Sequence, residues 1–252
     1  IEDSLIIEKI EKILLPYEAQ TFQKIIIKKI RSINKKAIII GYLPSSLPQL
    51  PAEFLYNKSY APDILFYHGK AYKKILNKFL HWPKNRIKII KSLKYQFSKS
   101  KNFGANIYLP YQINNARLLL YEFENFIKKN KQYNFKEHKT LIHPIKKNIN
   151  EHIEFMKQVR NVNKKYIIKK NPINKKIPIF FGSTTLFEGL EIYSEVIHIC
   201  SDPTFEGLDD SFWQNINIEK LSDHVFKYKL LKHGEYIIFG SKTAKKNFVN
   251  KL

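Results

Sequence analysis

Residues 177–200 read IPIFFGSTTLFEGLEIYSEVIHIC. Residues 177–181 predict a strand, and an earlier run at 37–41 is short, β-branched and unbroken, as is typical of a buried strand in a parallel sheet. Helical spacing of apolar side chains follows over 185–193, and a second β-branched run occupies 196–200. This stretch therefore predicts a strand-helix-strand crossover, the unit from which doubly wound α/β sheets are built.

The same alternation extends toward the amino terminus. We predict further strands at 37–41, 64–67, 87–90, 106–110 and 140–142, and helices at 71–79, 115–129 and 150–159. Residues 4–34 carry apolar side chains at helical spacing, among them Phe22, Ile26 and Ile30, and predict two helices interrupted at Pro16. The fold class expected is α/β with parallel sheets.

A polar stretch, Ser98-Lys99-Ser100-Lys101-Asn102, separates two series of strands and helices. Because 252 residues are enough for two modest domains, we place a boundary there and predict domains at 1–102 and 103–252. The chain starts at Ile1 without an initiator Met, which indicates that it is processed, trimmed or part of something longer.

The chain carries a formal net charge of +22. Its lysines are spread along the sequence, whereas a nucleic-acid-binding arm would concentrate them, so we do not expect a nucleic-acid partner. An attraction to anionic phospholipid remains an expectation. The single cysteine, Cys200, rules out an intramolecular disulfide, and no apolar run reaches the roughly 20 residues of a membrane span. A cytoplasmic protein is expected.

Two loops follow predicted strands at the edge where parallel sheets bind ligands. The first contains His143 and Pro144, and His143 is either a hydrogen-bond donor to a nucleotide or a histidine satisfied within its loop. The second runs from Gly182 through Ser183 and Thr184 to Thr185. Gly182 permits close approach of a phosphate, and the helix start after it favours an anion.

An alternative interpretation of the second loop is purely structural. Thr185-Leu186-Phe187-Glu188 has the spacing of a capping box, in which Thr185 and Glu188 satisfy each other's backbone amides. Both interpretations are compatible if Thr185 caps the helix while Ser183 and Thr184 face a ligand. Glu188 is also a candidate contact to the ribose or the donor sugar.

These residues resemble the GT-B glycosyltransferases that use CMP-sialic acid, CMP-Kdo or related nonulosonic acids in bacterial capsules and lipopolysaccharides. That family carries a His-Pro motif for the cytidine nucleotide and, one strand-helix unit later, a Ser/Thr-rich motif for its phosphate. His143-Pro144 and Ser183-Thr184-Thr185 match those motifs in order. The resemblance covers roughly residues 37–205, including 61–76, which look like the last strand-helix unit of the amino-terminal lobe.

The resemblance implies two Rossmann-like lobes with parallel sheets, an amino-terminal lobe that is incomplete, and a final helix near 242–249 that packs back toward that lobe. It also implies metal-independent transfer of an acidic sugar from a CMP donor to a glycan or glycolipid at the inner face of the membrane. No further cofactor is expected, and Asp209-Asp210 lacks the Asp-x-Asp spacing of a cation site.

The general base has no clear candidate, because the family's acidic Asp/Glu-Asp/Glu-Gly motif does not occur before residue 100. Asp63, Glu53 and His68 are the remaining possibilities in the amino-terminal region. Three other functions stay open: a CDP-glycerol or CDP-ribitol phosphotransferase of the teichoic-acid type, a basic nucleic-acid-binding module, and a non-catalytic lobe that pairs with another chain.

Overall fold

The computed structural model describes residues 7, 9–46, 52–96, 105–131, 133, 135, 138–166, 177–182, 185–241, 243 and 248. The chain divides into two compact units. The first contains residues up to 98 together with those from 233 onward, and the second contains 99–232. The second unit is therefore an insertion in the sequence of the first.

The first unit is an α/β unit with an all-parallel sheet. Its strands are β1 (Lys12–Pro16), β2 (Ile38–Tyr42), β3 (Ile64–Tyr67) and β4 (Ile87–Ile89), and its helices are α1 (Thr21–Ile33) and α2 (Lys70–Lys78), with short 3-10 turns at Ala52–Phe54 and Lys84–Arg86. The strands are adjacent in the order β1-β2-β3-β4, and every pair is parallel. The predictions of β2, β3, β4, α1 and α2 are confirmed.

The helix predicted before Pro16 is wrong, because Lys12–Pro16 is strand β1. This strand lies parallel to β2, with Lys12 opposite Ile38. β1 is an edge strand of this sheet. Proline is tolerated there, because an edge strand pairs on one side only and its other side needs no backbone donor. The apolar run at residues 13–15 fits a strand as well as a helix, and pairing with β2 decides between them.

The first unit is completed by residues 234–240, which lie against the turn after β3. The amides of Lys70 and Ala71 donate to the carbonyls of Gly234 (3.4 Å) and Glu235 (2.9 Å). In return the Ile238 amide donates to the carbonyl of His68 at 2.6 Å. The first amides of α2, which have no partner within the helix, are thus satisfied by a segment from the far end of the chain.

The second unit has a mixed sheet. Its strands are β5 (Ile107–Tyr108), β6 (Thr140–Leu141), β7 (Ile179–Phe181), β8 (Glu195–Ile199), β9 (Ile216–Lys220) and β10 (Val225–Leu230), and its helices are α3 (Ala116–Lys129), α4 (Asn150–Lys165), α5 (Leu186–Tyr193) and α6 (Pro203–Glu206), with a 3-10 turn at Pro144–Lys146. The order is β6-β5-β7-β8-β10-β9. β5 to β8 are parallel, whereas β10 is antiparallel to both β8 and β9.

The predicted strands and helices between 106 and 200 are confirmed, although α4 continues to Lys165, beyond the expected end at 159. The β9-β10 hairpin was not predicted. Isoleucines on the three central strands, Ile107, Ile179 and Ile197, lie opposite one another and are fully buried. The helix expected near 242–249 lies outside the described residues except for 243 and 248. Phe248 packs edge-on against Phe66 of the first unit, with ring centroids 5.1 Å apart.

We predict that Gly69→Ala destabilises the protein more than Gly234→Ala. A Cβ at Gly69 would lie 2.2 Å from the backbone carbonyl oxygen of Tyr236, which cannot move away without breaking the bonds of residues 234–240. We expect a loss of about 3 kcal/mol in the free energy of unfolding, the upper end for overpacking a closed site. Urea denaturation measures it.

Gly234→Ala is the matched control. Gly234 has φ +77°, and a Cβ there would meet no atom closer than 3.5 Å, so only the backbone strain of roughly 1–2 kcal/mol applies. Equal losses for the two variants would contradict the role assigned to the close approach at Gly69.

Candidate functional site

The candidate site lies at the carboxyl edge of the second sheet. β5 is flanked by β6 on one side and β7 on the other, so the chain leaves β5 in one direction and later returns to the opposite side. The loops after β5 and β7 therefore diverge. Open α/β sheets bind ligands in the crevice at such a reversal of strand order.

A pocket of about 190 Å³ occupies this crevice. It is lined by the loop after β5, by helix α3, by the end of β7 and by the segment after β8. The residues are Pro110, Tyr111, Gln112, Asn114, Leu119, Phe181, Gly182, Ser201 and Glu206. The volume is below the range of pockets that enclose a whole drug-sized ligand. The pocket has room for one ring system. The rest of a larger ligand would extend along the edge of the sheet.

Glu206 is the charged side chain of the pocket, and its neighbours hold it in place. Its Oε1 accepts hydrogen bonds from the Ser201 hydroxyl (2.6 Å) and the Asp202 amide (3.2 Å). Its Oε2 lies against Gly182, where a Cβ would be only 2.7 Å away. Gly182 also has φ +48°, so both its backbone and its surroundings favour glycine. An oriented carboxylate of this kind accepts hydrogen bonds from hydroxyl groups.

Tyr111 connects the pocket to the His143 loop. The rings of Tyr111 and His143 meet edge to face with centroids 5.1 Å apart, and the Lys146 ammonium lies 4.4 Å from the centre of the Tyr111 ring. The Tyr111 carbonyl is 3.1 Å from Nε2 of the buried His152, which places the proton of that ring on Nε2. The loop after β5 is thus held between two helical segments.

His143 lies at the end of β6, and its side chain is exposed. Its Nδ1 accepts a hydrogen bond from the Ile145 amide at 3.4 Å, so the neutral ring carries its proton on Nε2. Pro144 begins the 3-10 turn that follows. His143 therefore has the local role foreseen as the alternative, and it still presents an N–H donor at the carboxyl edge of the sheet.

The structure brings His143, Pro144 and Gly182 to the same edge, with the Tyr111 loop between them. Ser183 and Thr184 lie outside the described residues. Burial raises the pKa of Tyr108, and a hydrogen bond with Asn106 opposes this effect. The negative charge of Glu188, on α5, raises the same pKa further.

The capping box expected at Thr185 is not formed. Thr185 makes no capping hydrogen bond through its side chain, because its backbone is already helical, with φ −70° and ψ −7°. An N-cap oxygen reaches the helix amides from an extended backbone. The Thr185 carbonyl instead accepts a regular helical bond from the Gly189 amide at 2.9 Å.

Asp63 belongs to the first unit and stands at the amino end of β3, the edge opposite to the strand ends where ligands bind. Its Oδ1 pairs with the guanidinium groups of Arg31 (2.9 Å) and Arg86 (3.3 Å), and its Oδ2 accepts from the Ile39 amide (2.9 Å). These contacts give Asp63 a structural role. Glu53, in the 3-10 turn after β2, is exposed.

His68 also belongs to the first unit, where it is fully buried beneath residues 234–240. Its ring stacks on Tyr67 with centroids 4.4 Å apart, and Nε2 lies 3.2 Å from the Ser46 hydroxyl. Burial, aided by the charge of Lys94, lowers the pKa of His68 to about 3. The imidazole is therefore neutral and packed within the unit.

Three pocket residues escaped the sequence reasoning: Tyr111, Ser201 and Glu206. A signal for each existed, since all three follow strands that end at the same edge of the sheet. The sequence Asp202-Pro203 is also a typical start of a helix. In the structure, Asp202 caps α6 by accepting hydrogen bonds from the amides of Thr204 and Phe205. Applying the strand-end rule to every strand would have found them.

Among the described residues, no three His, Cys, Asp or Glu side chains are grouped as metal ligands. In the same part of the chain, no helix has the length and apolar character needed to cross a membrane. No family model, curated protein or solved structure matches this chain. Its function must therefore be argued from the pocket and from the sequence motifs around it.

We predict that His68 makes the protein less stable in mild acid. The ordinary pKa of a histidine is near 6.5, whereas that of native His68 is about 3, so between these values the unfolded chain binds a proton that the native state does not. The free energy of unfolding should fall as pH decreases through this window. In His68→Gln the slope should be shallower by up to about 1.4 kcal/mol per pH unit.

Urea denaturation at several pH values between 4 and 7 measures these slopes. His233→Gln, which changes an exposed histidine of the same unit, is the control and should keep the wild-type slope. A shallower slope for His233→Gln alone would show that the His68 assignment is wrong.

Proposed function

We propose that the chain is a metal-independent glycosyltransferase that uses a CMP-activated acidic sugar, such as sialic acid, Kdo or a related acid. The pocket at the strand-order reversal of the second unit is the observation that carries the proposal. It holds an oriented carboxylate beside a left-handed glycine, and the His-Pro loop adjoins it through Tyr111. The acceptor would be a surface glycan or glycolipid.

The spacing of the strands supports binding of one nucleotide by loops far apart in sequence. β6 and β7 lie on either side of β5, so their ends are about 10 Å apart at the usual strand spacing. We assign the Nε2–H of His143 to a nucleotide acceptor atom and the Glu206 carboxylate to ribose hydroxyls. Ser183 and Thr184, which precede α5 in the sequence, are assigned to the phosphate.

Charge supports this division of the site. CMP leaves as a phosphate dianion, which an adjacent carboxylate would repel, so the phosphate belongs away from Glu206. The dipole of α5 places partial positive charge at the start of that helix, and Lys146 offers a positive charge near Tyr111. Oriented dipoles of this kind stabilise charge that develops on a leaving group.

We also propose the GT-B arrangement of two lobes. It is supported by the presence of two α/β units that both contain parallel strands. The first unit would serve the acceptor, and the second would serve the donor. We do not assign the general base to Asp63 or His68. Asp63 is paired with Arg31, and His68 is buried beside Ser46.

A CDP-glycerol or CDP-ribitol phosphotransferase would bind the same base but carry a diphosphate donor, so donor profiling separates it from a CMP-sugar enzyme. A nucleic-acid-binding module would instead bind oligonucleotides with a steep dependence on salt. Neither alternative is favoured by a specific feature of the pocket.

We predict that CMP raises the melting temperature of the protein more than UMP, AMP or GMP at the same concentration, because a ligand of the native state stabilises it by mass action. His143→Ala should weaken CMP binding by about 1–3 kcal/mol, the range for a lost hydrogen bond, without lowering the melting temperature of the free protein. Thermal shift and calorimetric titration measure the two effects.

The exposed-histidine variant His233→Ala should bind CMP like the parent. Equal shifts for all four nucleotides would indicate a basic surface that binds any anion. Unchanged CMP affinity in His143→Ala would remove the His-Pro loop from the site.

We predict further that Glu206 recognises the ribose. The parent protein should bind CMP about 10- to 150-fold more tightly than its 2′-deoxy or 3′-deoxy analogue, since a charged acceptor is worth roughly 1.5–3 kcal/mol to a hydroxyl donor. Glu206→Gln should reduce this preference, while its amide oxygen still accepts from Ser201. Glu219→Gln on exposed β9 is the matched control. Competition titrations with the three nucleotides decide the question.

A further inference from the structure

Helix α1 presents an apolar face to solvent. Phe22, Ile25 and Ile26 recur at the spacing that places residues on one face of a helix, and they are 56%, 61% and 47% exposed. The same helix buries a polar side chain, Gln23, which is 6% exposed. A helix that only packed on its own sheet would show the opposite distribution.

Gln23 explains why the helix keeps this orientation. Its Oε1 accepts hydrogen bonds from the amides of Glu18 (2.9 Å) and Gln20 (3.1 Å), and its Nε2 donates to the carbonyl of Pro16 (2.9 Å). On the same side, Ile27 and Ile30 are buried in the first unit. The three exposed apolar side chains are therefore directed outward by the fold itself.

The stretch of sequence that contains α1 is basic. Between Glu18 and Glu53 the sequence contains no acidic residue and six Lys or Arg. Lys28 and Lys29 are exposed on α1 itself, and Lys35 and Lys36 are exposed just after its end. Apolar side chains bordered by lysines are typical of helices that lie in the interface of an anionic bilayer.

We propose that the α1 face, formed by Phe22, Ile25, Ile26, Lys28 and Lys29, docks on an anionic phospholipid surface. The apolar side chains enter the boundary between headgroups and acyl chains, and the lysines attract the negative leaflet. Association of two copies through this face would bring the same lysines together in each copy, in a chain of net charge +22. Negative lipid neutralises that charge, and a second copy adds to it.

The test is cosedimentation of the full chain with phosphatidylcholine vesicles, with and without phosphatidylglycerol. The parent protein should bind the vesicles that contain phosphatidylglycerol at least about tenfold more tightly. The triple variant Phe22→Gln/Ile25→Gln/Ile26→Gln should lose about tenfold or more of that binding. The charge variant Lys28→Glu/Lys29→Glu should lose a similar factor and provides a second probe should the triple variant fold poorly.

The matched control is Tyr121→Gln/Lys129→Glu on α3, which also replaces an exposed apolar side chain and a lysine on a helix. It should bind vesicles like the parent. The inference does not depend on the proposed donor, so the stabilisation by CMP should be the same in the α1 variants and the parent, whichever nucleotide result is obtained.

Three outcomes would overturn the inference. The parent protein fails to bind phosphatidylglycerol vesicles, or both α1 variants bind them as the parent does. Alternatively, sedimentation velocity without lipid shows a dimer that the triple variant abolishes, in which case the α1 face joins two copies of the chain.

Discussion

The first unit depends on residues that the chain reaches only after the second unit is complete. Carbonyls of Gly234 and Glu235 satisfy the amides at the start of α2, and the Ile238 amide returns a bond to His68. This closure requires glycine at position 69, because a side chain there would occupy the place of the Tyr236 carbonyl. It also consumes the amides that a helix start would otherwise offer to an anion. The closure therefore makes the start of α2 a structural junction instead of a phosphate site.

In the second unit, the carboxyl edge of the parallel strands is not covered in this way. β5 ends in a loop that diverges from the loop after β7, and the resulting pocket is left open to a ligand. In the function proposed above, the Glu206 carboxylate, oriented by the Ser201 hydroxyl, would accept hydrogen bonds from ribose hydroxyls and disfavour a phosphate beside it. Gly182 lies next to this carboxylate. A negative charge therefore stands where the sequence predicted the close approach of a phosphate, and a sugar hydroxyl fits that place better. In the proposed function, the phosphate would therefore bind toward the start of α5.

Local patterns sufficed for the crossover strands and helices, since buried parallel strands and amphipathic helices each have a distinct period. They do not identify β1, whose apolar run fits either period until it pairs with β2. They also do not identify the β9-β10 hairpin, although apolar side chains and lysines alternate over residues 226–230. For the site, His143 and Gly182 could be placed at strand ends from the sequence. Tyr111 and Glu206 also follow predicted strands, but that they line one pocket depends on the strand order, which pairs β5 with both β6 and β7 and β7 with β8.

Helix α1 shows why periodicity alone does not identify the buried face. Phe22, Ile26 and Ile30 lie at regular helical spacing, yet Ile30 is buried while Phe22 and Ile26 are exposed. Rotating the helix to bury the exposed Phe22, Ile25 and Ile26 would bring Ile27 and Ile30 into solvent. The net gain is about one apolar side chain, worth roughly 1.5–3 kcal/mol. The same rotation would break the three hydrogen bonds of Gln23, and each buried group left unsatisfied costs about 1–3 kcal/mol. The polar anchor therefore determines the orientation of the helix, and the exposed apolar face follows from it.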